Sequence, residues 1–342
     1  MLFRNLNLTR SYLNRLFYMD LRSLFNIFPL AFLLTLGGLT AKAQGMDPVF
    51  SQFYAAPIYL NPAFAGSTAC SRIALSQRLI SGPENFYIAN FSYDTYVRAL
   101  YGGVGLMITS DQSNMYMMRN SINAMYAYHL RLTDNVNINF GVQAGYIGNY
   151  SRWGRFKFPV DEPEPDNTWK SNVDFAAGMM LFSDVVYGGI AVHHLHEPNM
   201  SLYSEGSSPL YRKYTAHIGF YREPSWGTQG IRRDGPEYFF SPNFIFQVQG
   251  DLAGNDYYTH SGFGLYFGRK PIMIGLWHRI HWLEFFSESI KHTSVAHLGL
   301  NIDDYRVGIS YDFESFSADS NVNFSKISNV VEITFAMRFG CR

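Results

Sequence analysis

Residues 135–148 read Asn135-Val136-Asn137-Ile138-Asn139-Phe140-Gly141-Val142-Gln143-Ala144-Gly145-Tyr146-Ile147-Gly148. Val136, Ile138, Phe140, Val142, Ala144 and Tyr146 fall on one face, and Asn137, Asn139, Gly141, Gln143 and Gly145 on the other. An unbroken period of two is a β-strand with one apolar face. The stretch is longer than the ~5–6 residues usual in globular sheets. It suits a bilayer crossing, for which a strand needs about 9–11 residues.

The pattern recurs along the chain. In Ser121–Leu132, Ile122, Ala124, Tyr126, Tyr128 and Leu130 oppose Asn123, His129 and Arg131. Phe244, Phe246 and Val248 oppose Asn243, Gln247 and Gln249, and Ala296, Leu298, Leu300 and Ile302 oppose His297 and Asn301. Tyr305, Val307, Ile309, Tyr311 and Phe313 oppose Arg306, Ser310 and Asp312. Val331, Ile333, Phe335, Met337 and Phe339 oppose Glu332, Thr334 and Arg338.

A soluble sandwich also alternates, so period alone leaves two fold classes open. Composition and the N-terminus separate them. Charged residues are 16% of the chain, against roughly 25% in soluble domains. Aromatic residues are 17%, and a barrel in lipid can carry them on its outer face and in interfacial girdles. The opposite faces carry Gly, Asn, Gln, Ser and Arg, as a wet or hydrogen-bonded lumen requires. The 27 basic residues balance the 27 acidic ones, which gives no basic surface for a nucleic-acid partner.

Arg4, Arg10, Arg15 and Arg22 precede the apolar run Leu30–Leu36 and the small-residue site Ala41-Lys42-Ala43, just before Gln44. That is the layout of a Sec-type signal peptide, with Met19 as an alternative start. An uncleaved anchor would need about 20 apolar residues, and this run is shorter. No Cys follows the site, which argues against a lipoprotein. The expected organisation is a signal peptide over 1–43, an N-terminal periplasmic segment over 44–70 and a transmembrane antiparallel β-barrel over 71–342.

About fourteen strands are expected, near 71–80, 85–98, 103–110, 117–132, 135–153, 172–183, 185–193, 211–221, 238–250, 256–267, 272–281, 294–302, 305–313 and 330–340. Periplasmic turns of bacterial barrels are short and outer loops longer. Short turns at Thr133-Asp134, Asp184, 268–271 and Asp303-Asp304 follow even-numbered strands; longer loops at 154–171, 194–210, 282–293 and 314–329 follow odd ones. The connection 222–237 breaks the rule, so counts of twelve or sixteen stay open.

Cys70 precedes the first strand and Cys341 follows the last. In a closed barrel with an even strand number these ends lie side by side, within disulfide reach, so a Cys70–Cys341 bond is expected, with two free thiols as the alternative. His193, His194, His196 and Glu197 cluster at a strand end. Neighbours on a strand point to opposite sides, so a solvated loop is expected rather than a metal site. His278, His281, His292 and His297 read as lumen or loop residues, and the acidic run Asp161–Asp166 as a solvated outer loop. There is no phosphate loop, nucleophile elbow or HExxH motif. No catalytic residue, metal ligand or cofactor is assigned.

Met46-Asp47-Pro48-Val49-Phe50-Ser51-Gln52-Phe53-Tyr54 leads to Asn61-Pro62-Ala63-Phe64-Ala65-Gly66-Ser67. The pair resembles the opening of the PorP/SprF family of Bacteroidetes outer-membrane proteins. Pro271–Arg279, Arg306–Phe313 and Val331–Phe339 resemble later strands of that family. Ser76-Gln77-Arg78-Leu79-Ile80 departs from its first strand, and the last strand lacks the Gly-rich run before Glu332. The resemblance implies a non-enzymatic role in type IX secretion at the outer membrane. The implied partners are outer-membrane lipid, the C-terminal domain of a secreted cargo of gliding or adhesin type, and other secretion components. A porin-like diffusion channel is the alternative; an outer-membrane hydrolase is a third.

The family-motif residues are Asp47, Pro48, Ser51, Gln52, Asn61, Pro62 and Gly66. Asp47-Pro48 and Asn61-Pro62 are turn-forming pairs, and the apolar residues among them need burial. The segment is expected to plug or strap the periplasmic mouth, or else to form a collar outside the lumen.

Overall fold

The computed structural model describes residues 47–341 apart from 53–54, 69, 82–85, 113–116, 152–167, 184, 203–205, 221–237, 254–255, 270, 285–289 and 316–328. The signal peptide, the acidic run 161–166 and the connection 222–237 therefore lie outside the described residues.

Fourteen antiparallel strands close into one barrel. They are β1 Ser71–Ser81, β2 Phe86–Val97, β3 Gly102–Gln112, β4 Met117–Arg131, β5 Val136–Ser151, β6 Trp169–Ser183 and β7 Val186–His193. There follow β8 Lys213–Phe220, β9 Tyr238–Asp251, β10 Asp256–Arg269, β11 Ile272–Glu284, β12 Ile290–Ile302, β13 Tyr305–Ser315 and β14 Asn329–Phe339. Each strand pairs with its sequence neighbours, and β1 pairs with β14 from Ser71↔Phe339 to Ser81↔Asn329. Closure pairs every strand with both neighbours over at least part of its length, as a sheet in lipid requires.

The burial pattern is that of a barrel turned outward to lipid. Val142 and Tyr146 are 56% and 63% exposed, while Asn139 and Gln143 on the opposite face are 3% and 4% exposed. Ile309 and Phe313 face out while Ser310 and Asp312 are buried. A soluble sandwich would bury the apolar set instead.

One expected loop is corrected. Residues 282–293 were expected as a loop, but β11 runs to Glu284 and β12 starts at Ile290. Trp282 pairs with Ile290, and His281 with Lys291. At the barrel rim both faces meet water, so polar residues extend the ladder and the alternation that marks a strand fades.

Cys70 and Cys341 form a disulfide across 271 positions, with Cα atoms 4.2 Å apart. It sits at the foot of the β1–β14 seam. Gly340 adopts a left-handed φ of 62° between Phe339 and Cys341, a conformation open to glycine at little cost, and so turns the chain toward Cys70.

The described residues of 47–68 lie inside the barrel. They include a short helix, α1 (Pro57–Leu60), and a 3₁₀ turn at Pro62–Phe64. Ile58, Leu60, Ala63 and Phe64 form an apolar cluster with Met107, Met125, Met180 and Phe182 from the wall. The segment reaches further than the mouth. The Asp47 amide meets Gln249 near the end of β9, where the long loops are. The Gly66 amide meets Asp94 near the short-turn end of β2.

Candidate functional site

The plug is held at three heights, and each height uses residues of the N-terminal motif. At the long-loop end, Asp47 Oδ2 lies 2.9 Å from His194 Nε2 and 2.8 Å from Lys213 Nζ, and Oδ1 lies 3.8 Å from Arg119. His194 Nδ1 lies 2.9 Å from Asp174 Oδ2. His194 is thus clamped between two carboxylates. It lies beyond the end of β7, outside the strands. Burial disfavours its charged form, but Asp47 and Asp174 outweigh burial and raise its pKa to about 9. Pro48 accepts a 2.7 Å bond from the Tyr59 hydroxyl, and Phe50 packs edge-on against the same ring at 4.9 Å.

This overturns the reading of His193 and His194 as solvated loop residues. Both are buried, at 5% exposure each. His194 has a φ of 57°, which breaks the pleat, so two consecutive side chains turn inward.

At mid-height, the two carboxylate oxygens of Glu332 accept the backbone N–H groups of Ser51 and Gln52 at 2.6 and 2.9 Å. Ser51 Oγ donates to Asp312 at 2.7 Å. The Gln52 side chain donates to Ser310 Oγ at 3.2 Å and to the Glu332 carbonyl at 3.1 Å, and accepts from Thr334 Oγ1 at 2.6 Å. Arg78 joins Asp312 at 2.7 Å and Glu332 at 3.4 Å, and Arg279 also pairs with Asp312. Buried charge is tolerated only when paired and hydrogen-bonded, and the plug completes that pairing.

Lower down, Asn61 Oδ1 caps the 3₁₀ turn by accepting from the Ala63 amide at 2.9 Å, with Pro62 at the first helical position. Its Nδ2 donates to the carbonyls of Met179 and Ile190 at 3.2 and 3.0 Å, bridging β6 and β7. Phe64 stacks on His217 at 5.5 Å. Gly66 has a φ of 61°, and its amide donates to Asp94 at 2.9 Å. Asp94 is held in turn by Arg72 through bonds of 2.8 and 3.0 Å.

The wall is carved to fit. A Cβ at Gly178 would stand 2.1 Å from Asn61 Oδ1, and one at Gly103 would stand 2.0 Å from the Ala65 carbonyl oxygen. Beside Asp47 a cavity of about 50 Å³ remains, lined in part by Asp111, Arg119, Asp174 and Lys213. That is room for a few waters.

Every motif residue expected from the sequence therefore touches the lumen or shapes the plug. The wall partners were not assigned from sequence. Asp312 and Glu332 are visible in the sequence as charges on the polar face of strands, whereas Arg78 and Arg279 stand there only within stretches compared with the family. Such charges need partners, but the sequence alone does not say which.

The model of the type IX secretion system membrane protein PorP/SprF family matches residues 42–335. The chain belongs to this family. No curated protein matches. Among solved structures, the CymD monoaromatic hydrocarbon channel is similar with a TM-score of 0.54 at 8% identity, over 86% of this chain and 94% of that one. A TodX deltaS2S3 mutant, also a monoaromatic hydrocarbon channel, gives 0.54 at 10% identity, over 83% and 94%. At such identities the likeness concerns the fold. As a PorP/SprF member the protein resides in the outer membrane. In bacterial barrels the short-turn end faces the periplasm, which places Gly66 and the disulfide there and Asp47 toward the cell surface.

Proposed function

We propose that this PorP/SprF barrel is a closed, non-enzymatic docking station of type IX secretion, which holds surface-exported cargo of gliding or adhesin type at the outer membrane. The observation that carries this reading is the plug. The described residues of 47–68 occupy the lumen from the Asp47 cluster to Gly66, and the motif residues bond to the wall at each of the three heights. A diffusion channel needs a continuous wet path, and a lumen filled in this way favours a binding role over conduction.

On this reading the cargo's C-terminal domain and other secretion components meet the barrel at its rims. A signal peptide over 1–43 delivers the chain to the periplasm. The 44–70 segment then serves as the internal plug, and Asp47, Pro48, Ser51, Gln52, Asn61, Pro62 and Gly66 are its anchors.

The experiment is a pull-down of the native protein from outer membranes, with identification of surface proteins that co-purify, beside conductance of the purified barrel in planar bilayers. Cargo recovery with negligible conductance is expected. Steady solute conductance with no cargo would favour the porin-like channel.

A further inference from the structure

The barrel wall is uneven. β7 and β8 have 8 residues each, between β6 with 15 and β9 with 14. The β6–β7 register ends at Ala177↔Val192, so Trp169–Ala176 has no β7 partner. At about 3.3 Å per residue this is about 26 Å of strand edge. On the other side the register reaches Lys213↔Gln249, which leaves only Gly250 and Asp251 of β9 beyond it. The gap therefore opens toward the cell surface and is bounded by the edge of β6.

The direction of the backbone groups follows from two hydrogen bonds. The Thr168 carbonyl accepts from Ser151, next to β5, at 3.0 Å, whereas the Phe175 carbonyl accepts from Leu195, on the gap side, at 3.0 Å. In an antiparallel ladder successive residues turn their N–H and C=O to opposite neighbours. Val173, Ser171 and Trp169 thus present both groups to the gap. Among the described residues these groups meet no hydrogen-bond partner. An unpaired edge is a template for another strand, and such an edge is costly to leave open beside lipid.

The two sides of the edge differ. Trp169, Val173 and Phe175 are exposed on the outer face. Asp174 points inward at 2% exposure, and its Oδ1 has no hydrogen-bond partner among the described residues. The described residues of the connection after β7 take the edge only at Phe175, through Leu195, and otherwise shield the site from the lumen side. Asn172 donates to the Asn199 carbonyl at 2.7 Å, and Met200 and Leu210 pack on Ile147.

We propose that the β6 edge at Trp169–Phe175 receives an extended segment of the exported cargo as an added β-strand. The inference rests on the docking reading above and names its site. Main-chain bonds to an edge give affinity, and alternate side chains give specificity. The fitting segment alternates, with apolar side chains outward beside Val173 and Phe175. Inward it carries a hydrogen-bond donor for Asp174 Oδ1.

The test uses Val173→Pro in the full-length protein. Proline removes the one N–H that Val173 offers the gap, and Val173 offers none to β5, so the ladder to β5 stays whole. The variant is expected to assemble at the wild-type level, while cargo held at the surface falls at least tenfold. A photo-crosslinking side chain at position 173 is expected to capture the cargo that deletion of the whole gene releases. The same side chain at Ile190, outward on a fully paired strand, is expected to capture none. Full cargo display by Val173→Pro would overturn the inference. So would a crosslink from position 173 to lipid, to a second copy of the chain or to the protein's own loops, and this arm decides the matter if Val173→Pro fails to assemble. If gene deletion itself leaves cargo display intact, the docking reading falls. If deletion abolishes display and Val173→Pro does not, only the β6 edge falls.

Discussion

Gly141 faces Ala63 so closely that a Cβ on Gly141 would stand 2.2 Å from the Ala63 amide nitrogen. The contact is backbone on both sides, so no rotamer change relieves it. Gly141→Val is therefore expected to push the 3₁₀ turn off the wall, with an overpacking cost of about 1–3 kcal/mol. The β4–β5 and β5–β6 ladders do not use the missing side chain, so assembly persists. The expected outcome is a folded barrel with new conductance events in planar bilayers and faster protease cleavage within 47–68. An unchanged, silent bilayer trace would show that the plug does not depend on this clearance.

Glu332 is the residue on which the mid-height anchor turns, since its carboxylate takes two plug amides and an arginine. Glu332→Gln keeps the shape, removes the charge and leaves one of the two plug amides facing an NH2 donor instead of an acceptor. Arg78 keeps Asp312, so the loss belongs at the lower end of the range for a broken buried pair, about 3 kcal/mol. The temperature at which the barrel unfolds on a heat-modifiability gel is expected to fall. Glu332→Ala should lower it further, because two plug amides then lose their acceptor.

Not all of this was legible in the sequence. Lipid-facing strands announce themselves, because one face is apolar along the whole crossing, as in 135–148. The motif around Asp47 and Asn61 marked the plug residues, since Asx-Pro pairs shape local structure whatever surrounds them. Their partners did not follow, because pairing Ser51 with Glu332 spans 281 positions, a separation that only barrel closure brings together. The inward turn of both His193 and His194 depends on one left-handed residue that is not glycine, which no alternation rule anticipates. The short β7 and β8 were legible, expected at 185–193 and 211–221 and found at Val186–His193 and Lys213–Phe220, but where the longer β6 loses its partner was not, because only the register shows where pairing stops.

The seam gives a third expectation. In outer-membrane protein taken without reduction, mass spectrometry should find the peptides holding Cys70 and Cys341 linked. Cys341→Ser should lower resistance to heat, by an amount on the order of 2–4 kcal/mol for a typical structural bridge. The β1–β14 register of eleven pairs should still close the barrel. Quantitative alkylation of both thiols before reduction would remove the bond from the account.

The clamp on His194 makes the plug sensitive to alkali. With its pKa raised from 6.5 to about 9 by Asp47 and Asp174, His194 is charged in the plugged state. A group raised on folding contributes stability that is fully present below its unfolded pKa and is lost as pH rises through the folded one. The His194 contribution to the Asp47 anchor should therefore be full below about pH 6.5, decline as pH rises above that and be lost as pH climbs through about 9. His193, Lys213 and Arg119 also face this site, so the wild-type profile alone does not assign the change. His194→Gln separates the contributions, because it keeps a hydrogen-bonding side chain that cannot titrate. Protease cleavage of 47–68 in the purified barrel is expected to rise between pH 7 and pH 10 in the wild type. In His194→Gln it should be faster at pH 7 and should lose most of that rise. A wild-type profile flat through pH 10 would mean that Lys213 and Arg119 hold Asp47 without the imidazolium, and that the clamp contributes little to keeping the plug in place.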